Sequence, residues 1–307
     1  MQQCRLFGSS EYRVNSTNKA ERAGTSAVSW LPLVILPLAA AAARNRLPAW
    51  SFMWLMSFAL FAGCKWLTWW TARFVSSSPW RSLAYLLLWP GMDAGSFLDD
   101  QQVPAKPKPM QWIVAAAKTA VGILLIWGLT HRFASPIMQG WIGMLGLILL
   151  LHFGSFHLIA LAWQAVGVNA EPIMHFPLGS RSLSEFWGKR WNMGFRQLTF
   201  DLVFQPMRRP LGVGAATFAS FVVSGFIHEL VISFPAGAGY GLPTAYFALQ
   251  GAGVLLERST IGKRSGLHHG WRGWLFPVVV TAGPAYILFH PWFVVRVMVP
   301  FLHAIGA

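Results

Sequence analysis

Eight apolar stretches, each at or near the length that crosses a bilayer, constrain this chain more than any other feature: 27–43, 47–64, 112–130, 137–167, 211–234, 241–256, 274–290 and 291–306. A hydrocarbon core of ~30 Å takes about 20 mostly apolar residues to span as a helix. Within lipid, only helices or closed barrels satisfy their own backbone groups. Charged residues make up 11% of the 307, under half the roughly 25% of a soluble domain. The seventeen Trp suit a protein with wide headgroup-level surfaces. The expectation is an all-α polytopic membrane protein of about eight transmembrane helices in the lipid bilayer. The run 137–167 is too long for one straight span, and Gly154 is the expected break. The shorter "RSLAYLLLWPGMDAGSF" (81–97), with Pro90-Gly91 inside it, is expected to be re-entrant or interfacial. Residues 1–26 are polar without an apolar period and read as a tail; 27–307 read as one polytopic domain. The following "LPLVILPLAAAAARN" imitates a signal peptide, but a second apolar segment directly after it favours a first membrane hairpin. Cys4 and Cys64 are too few for a disulfide framework or a metal cluster.

The formal net charge is +14. Basic residues punctuate the apolar runs, which is the positive-inside pattern and not a nucleic-acid surface. Residues 171–210 carry Arg181, Lys189, Arg190, Arg196, Arg208 and Arg209; residues 257–272 carry Arg258, Lys263, Arg264 and Arg272. Two spans separate these connections, so both face one side, and their sign places them in the cytosol. They are topology signals first; a cleft of one sign also concentrates anionic ligands.

Within 211–234 stand His228 and Glu229. A charge at membrane depth costs about 2.5 to 3.5 kcal/mol on translocon scales, which marks such a residue for function. At 100° per residue Thr217, Phe221, Ser224 and His228 share one narrow stripe, while Glu229 points ~100° away. Hydroxyls and small residues on such a stripe also serve plain helix packing.

Between Pro177 and Pro206 runs "PLGSRSLSEFWGKRWNMGFRQLTFDLVFQP", too polar to span. Ser184 is a candidate helix cap. Phe195, Leu198, Leu202 and Val203 fall at helical spacing, the pattern of a helix lying in the interface plane. The strings "SLSEFWGKRWN" (182–192), "DLVFQP" (201–206), "SGFIHEL" (224–230) and, upstream, "LLLWPGMDAGSFL" (86–98) resemble the membrane-bound O-acyltransferases, and among them the wax synthase domain proteins, from about residue 86 to the end. The resemblance implies helices around a central chamber in which an acyl group passes from acyl-CoA to a hydroxyl. It carries two residues over, Asn192 and His228, as the catalytic pair.

The chemistry suits them. Acyl-CoA brings its own thiolate leaving group, so what is missing is a base for the alcohol. A neutral imidazole, with an ordinary pKa of ~6.5, is the best-matched one, and a positioned base contributes typically ~10²–10⁴-fold. Asn192 would donate an N–H to the oxyanion or orient its partners. Trp187, Lys189, Arg190, Trp191, Arg196, Arg208 and Arg209 are candidates for the acyl-CoA mouth, with Thr217, Phe221 and Ser224 lining the chamber. The expected partners are acyl-CoA as co-substrate and a lipophilic alcohol, with no metal, resident cofactor or nucleic acid. A wax ester is the expected product. A short acyl donor with a sterol or secondary-metabolite hydroxyl is the alternative, and a non-catalytic lipid carrier or channel is the rival of another class.

Other signals are weaker. "HELVI" lacks the second His of H-E-x-x-H, since Ile232 stands there. "HHG" (268–270) reads as a solvated loop pair. His157 and Gln164 share a face in 137–167, Lys118 is placed to snorkel, and Asp93 reads as a turn residue. Neither G-x-S-x-G nor a Walker A string occurs.

Overall fold

The computed structural model describes residues 27–75 and 78–307; the tail expected over 1–26 lies outside them. The fold is all-α, and among the described residues no strand occurs. Helix α1 (Ala27–Ala42) and α2 (Ala49–Ala72) pack as a hairpin, with Ala40, Phe52, Met56 and Ala59 buried between them and their neighbours. Two short helices follow, α3 (Pro79–Leu88) and α4 (Ala94–Leu98), joined by the Trp89–Asp93 turn. Asp93 is a capping residue there, accepting from the Ser96 N–H at 3.0 Å. Long helices complete the chain: α5 (Pro109–Arg132), α6 (Pro136–Ala165), α7 (Met193–Ala236), α8 (Leu242–Arg258), and the bent pair α9 (Gly270–Leu288) and α10 (Pro291–Ala304).

Helix occupies all eight apolar stretches, but fewer than eight qualify as spans. By length and apolarity α5, α6 and α7 can cross a membrane, and α9 with α10 makes a fourth if the pair, bent by 58°, is one span. α2 has the length, but five Trp and Lys65 lower its hydropathy, and α8 has only 17 residues. Gly154 does not break the run 137–167. α6 is continuous for 30 residues, and Gly154 is instead where α6 meets α5, since a Cβ there would collide with Thr119.

α7 bends at Gly212, whose φ of 78° and ψ of 168° are non-helical. Its first part is the amphipathic segment read from the sequence. Leu198 is buried with Cys64 and Met92, and Phe195 and Leu202 pack on the same cluster. Its second part carries His228 and ends under two guanidinium groups. Arg44 Nε donates to Phe234 O and Arg296 Nη1 to Ala236 O, each at 3.1 Å. Cations at the carbonyl end of a helix complement its dipole, and Arg44 ties the first hairpin to α7.

The main core gathers around that end of α7. Ile232 and Ala236 pack with Met53 of α2, Tyr246 and Phe247 of α8 and Phe293, Val294, Val297 and Met298 of α10. A second tie lies deeper in α2, where buried Lys65 donates to Gly91 O at 2.7 Å and stands 3.1 Å from the Tyr85 ring centroid. Lys65 thereby holds the Trp89–Asp93 turn, whose Met92 backbone lies against Gly194, two residues past Asn192.

Candidate functional site

The site is built from α7, α8 and the loop that precedes α7. In the loop, Ser182 and not Ser184 caps the short turn Leu183–Glu185, accepting from the Glu185 N–H at 2.9 Å. The cap sits two residues before the expected one because the hydroxyl of Ser184 serves Arg258, accepting from its Nε at 3.1 Å. Glu257, buried in α8, accepts from the N–H groups of Leu183 and Ser184. Arg190 clamps the other side: Nε and Nη2 reach Glu185 Oε1 at 2.8 and 2.7 Å, and Nη1 reaches the carbonyls of His175 and Phe176. Partial burial pushes the Glu185 carboxyl up, but the Arg181 N–H, the Arg190 guanidinium and the Lys189 charge outweigh it and hold the group below the usual carboxylate range.

From this braced turn the aromatics of the string point inward. Phe186 stacks on Trp191 with centroids 5.5 Å apart. Trp187 lies 5.7 Å from Phe221 of α7 and 5.7 Å from Phe247 of α8. Its indole N–H donates to Gln250 Oε1 at 3.3 Å, and fully buried Gln250 donates onward to Val280 O at 2.8 Å. Trp187 is thus the side chain of the string that reaches the His228 neighbourhood, since Phe247 also lies against the His228 ring, with centroids 4.3 Å apart and the planes tilted by 40°.

His228 Nδ1 is 2.7 Å from Ser224 O. A carbonyl only accepts, so Nδ1 carries the proton and donates it, which leaves Nε2 with a lone pair. No described residue hydrogen-bonds Nε2. Protein surrounds His228 closely, yet part of its surface stays open. The rest of the stripe turns back on its own helix: Thr217 donates to Val213 O at 2.8 Å and Ser224 to Ser220 O at 3.0 Å. Phe221 is the member that faces Trp187.

Asn192 begins α7 in a left-handed conformation, with φ 46° and ψ 63°. Its Oδ1 accepts from the Phe195 N–H at 3.4 Å. Asn192 and His228 share no hydrogen bond; Trp191, next to Asn192 in the chain, lies 6.5 Å from Trp187, ring centroid to ring centroid. Glu229 pairs across the helix boundary, with Oε1 accepting from Gly241 N, Thr244 N and Thr244 Oγ1 at 3.0, 3.0 and 2.9 Å.

The basic candidates divide. Lys189, Arg208 and Arg209 are exposed, Arg190 is ion-paired, and Arg196 Nη1 donates to Gln197. The two basic connections meet at one end, through Glu257, Arg258 and the Trp274 N–H, which donates to Leu178 O at 2.9 Å. Gln164 donates to Ala170 O at 2.9 Å, so its amide closes a loop. Among the described residues no three His, Cys, Asp or Glu side chains gather as metal ligands would. Phe247, Gln250 and Glu257 carried no motif, and only the polar Gln250 within the apolar α8 and Glu257 near its end set two of them apart.

Residues 170–249 match the model of the membrane bound O-acyl transferase family. The chain is 30% identical over 138 residues to the probable long-chain-alcohol O-fatty-acyltransferase 7 of Arabidopsis thaliana, covering 38% of this chain and 39% of that one. It is 29% identical over 106 residues to the long-chain-alcohol O-fatty-acyltransferase of Simmondsia chinensis, covering 32% and 30%. It is 34% identical over 89 residues to the acyl-CoA–sterol O-acyltransferase 1 of Arabidopsis thaliana, covering 25% and 26%. The matched stretches span less than half of each relative.

Proposed function

We propose that this chain, whose residues 170–249 match the membrane bound O-acyl transferase family, esterifies a long-chain alcohol with the acyl group of acyl-CoA, giving a wax ester. The observation that carries this reading is the Nδ1–Ser224 O hydrogen bond at 2.7 Å, which leaves the lone pair on Nε2 of a His228 ring that lies beside Phe247. Nε2 takes the hydroxyl proton as the alcohol oxygen attacks the thioester carbonyl carbon. The tetrahedral intermediate then collapses, the C–S bond breaks, and the departing CoA thiolate receives the proton back from the imidazolium. Two N–H bonds of the Asn192 amide, whose oxygen is taken by the Phe195 N–H, supply the oxyanion donor. The acyl-CoA nucleotide stays at the basic end, in the cytosol, near exposed Lys189, Arg208 and Arg209, and only the thioester arm enters.

A second acceptor class, a sterol hydroxyl, is favoured by the resemblance to the sterol acyltransferase. The test is purified protein in vesicles given labelled palmitoyl-CoA with hexadecanol or with a sterol. Labelled hexadecyl ester is the expected product, and His228→Ala should lower turnover by about 10²–10⁴-fold, the worth of a positioned base. Sterol ester alone would move the acceptor to the second class. Normal turnover by His228→Ala would reject the base, and no acyl-CoA consumption with any acceptor would favour a lipid carrier.

A further inference from the structure

Helix α8 acts as a ruler for the site. Thr244, Phe247 and Gln250 recur every three residues on one face, and they meet Glu229, His228 with Trp187, and Trp187 in that order. What sets α8 against α7 is therefore what sets Phe247 on the imidazole. At Gly225 the two helices come into backbone contact, because a Cβ there would lie 2.7 Å from Thr244 Cα. Contact of that kind fixes separation but permits sliding and rotation.

One turn beyond Gly225 stands Glu229. Its Oε1 gathers the Gly241 N–H, the Thr244 N–H and the Thr244 hydroxyl at 3.0, 3.0 and 2.9 Å. Two of these are amide donors of the first turn of α8, which have no acceptor within their own helix, and a carboxylate there also complements the dipole. The carboxylate thus closes the register that Gly225 leaves free. Glu229 points away from His228 around α7, and the outer side of this junction is a groove of about 450 Å³ that Glu229, Phe226, Tyr240 and Thr244 line.

We propose that Glu229 is a positioning residue: its carboxylate clasps the start of α8 to α7 and so holds Phe247 against the His228 ring. The inference rests on the reading of His228 as the base. It differs from a charge role for Glu229 beside an imidazolium, because the clasp needs an oxygen acceptor and not a negative charge. Glutamine supplies the acceptor and alanine does not.

The experiment compares Glu229→Gln, Glu229→Ala and Thr244→Val with wild type in the palmitoyl-CoA and hexadecanol assay, beside the rate at which diethyl pyrocarbonate modifies His228, read from its peptide by mass spectrometry. Glu229→Ala should lose about 10²-fold in kcat, the cost of a misplaced group, with the KM for palmitoyl-CoA unchanged and His228 modified faster. Glu229→Gln should stay within a few-fold of wild type on both readouts, and Thr244→Val should fall between. If Glu229→Ala does not fold, the order of Thr244→Val below Glu229→Gln in kcat carries the test. Equal damage from Gln and Ala, or a Gln variant below Thr244→Val, would overturn the clasp in favour of charge, and wild-type kcat in Glu229→Ala would overturn it outright. Should wild type esterify nothing, the proposed function fails, while the modification rates still decide the clasp: unchanged rates in Glu229→Ala reject it.

Discussion

Asparagine is among the few residues that accept a left-handed backbone, and at φ 46° residue 192 needs that tolerance. Its side chain divides its work: Oδ1 caps α7 by accepting from the Phe195 N–H, while the two N–H bonds of Nδ2 have no partner among the described residues. Aspartate separates these tasks, since it tolerates the same backbone and caps as well but brings no N–H. Asn192→Asp should therefore melt at the wild-type temperature and lose about 10²–10³-fold in kcat, the worth of one oxyanion donor. Wild-type kcat in the folded variant would reduce Asn192 to a cap. The sequence pointed to this residue through a string, and its capping role came only with the backbone angle.

For the elements, the long helices and the string were legible because apolar period and Trp-rich, Gly-broken composition are local signals. Their pairings were not. Glu229 finds Thr244 fifteen positions on, and Glu257 finds Leu183 and Ser184 more than seventy positions back. No periodicity encodes such partners, and of the two carboxylates Glu229 stood out in the sequence only as a cost. The same blindness put the loop's cap at Ser184, where only the approach of Arg258 reveals its true use. The braced turn carries a pH signature. The carboxyl of Glu185 lies below its ordinary value because the Arg181 N–H, Arg190 and Lys189 together outweigh its partial burial. A depressed carboxyl adds stability that is present above its unfolded value and lost as pH falls through the folded one. The melting temperature should thus fall as the medium is acidified below the usual carboxylate range, and Glu185→Gln should show a smaller fall while melting lower at neutral pH. Parallel wild-type and Gln curves would show that this pair has no part in acid lability.

Across the whole molecule the charge is arranged by folding rather than by sequence alone. The connections 171–210 and 257–272 lie far apart along the chain, yet Glu257, Arg258 and Trp274 bind them into one end. With a net charge of +14, that end offers Lys189, Arg208, Arg209, Lys263 and Arg264 on the surface, some distance from His228 at the other end of a kinked α7. On the proposed reaction this separation matches acyl-CoA itself, an anionic nucleotide joined by a long arm to an uncharged thioester. Exposed charges act over a Debye length of about 8 Å at physiological salt and ~3 Å at 1 M. Reversing Arg208 and Arg209 together to Glu should therefore raise the KM for palmitoyl-CoA several-fold at low salt, less at high salt, with kcat and the KM for hexadecanol unchanged. Initial rates over a palmitoyl-CoA series at two salt concentrations measure this. A KM that does not move at low salt would take the nucleotide away from this part of α7, and one that rises equally at both would assign the loss to packing instead of charge.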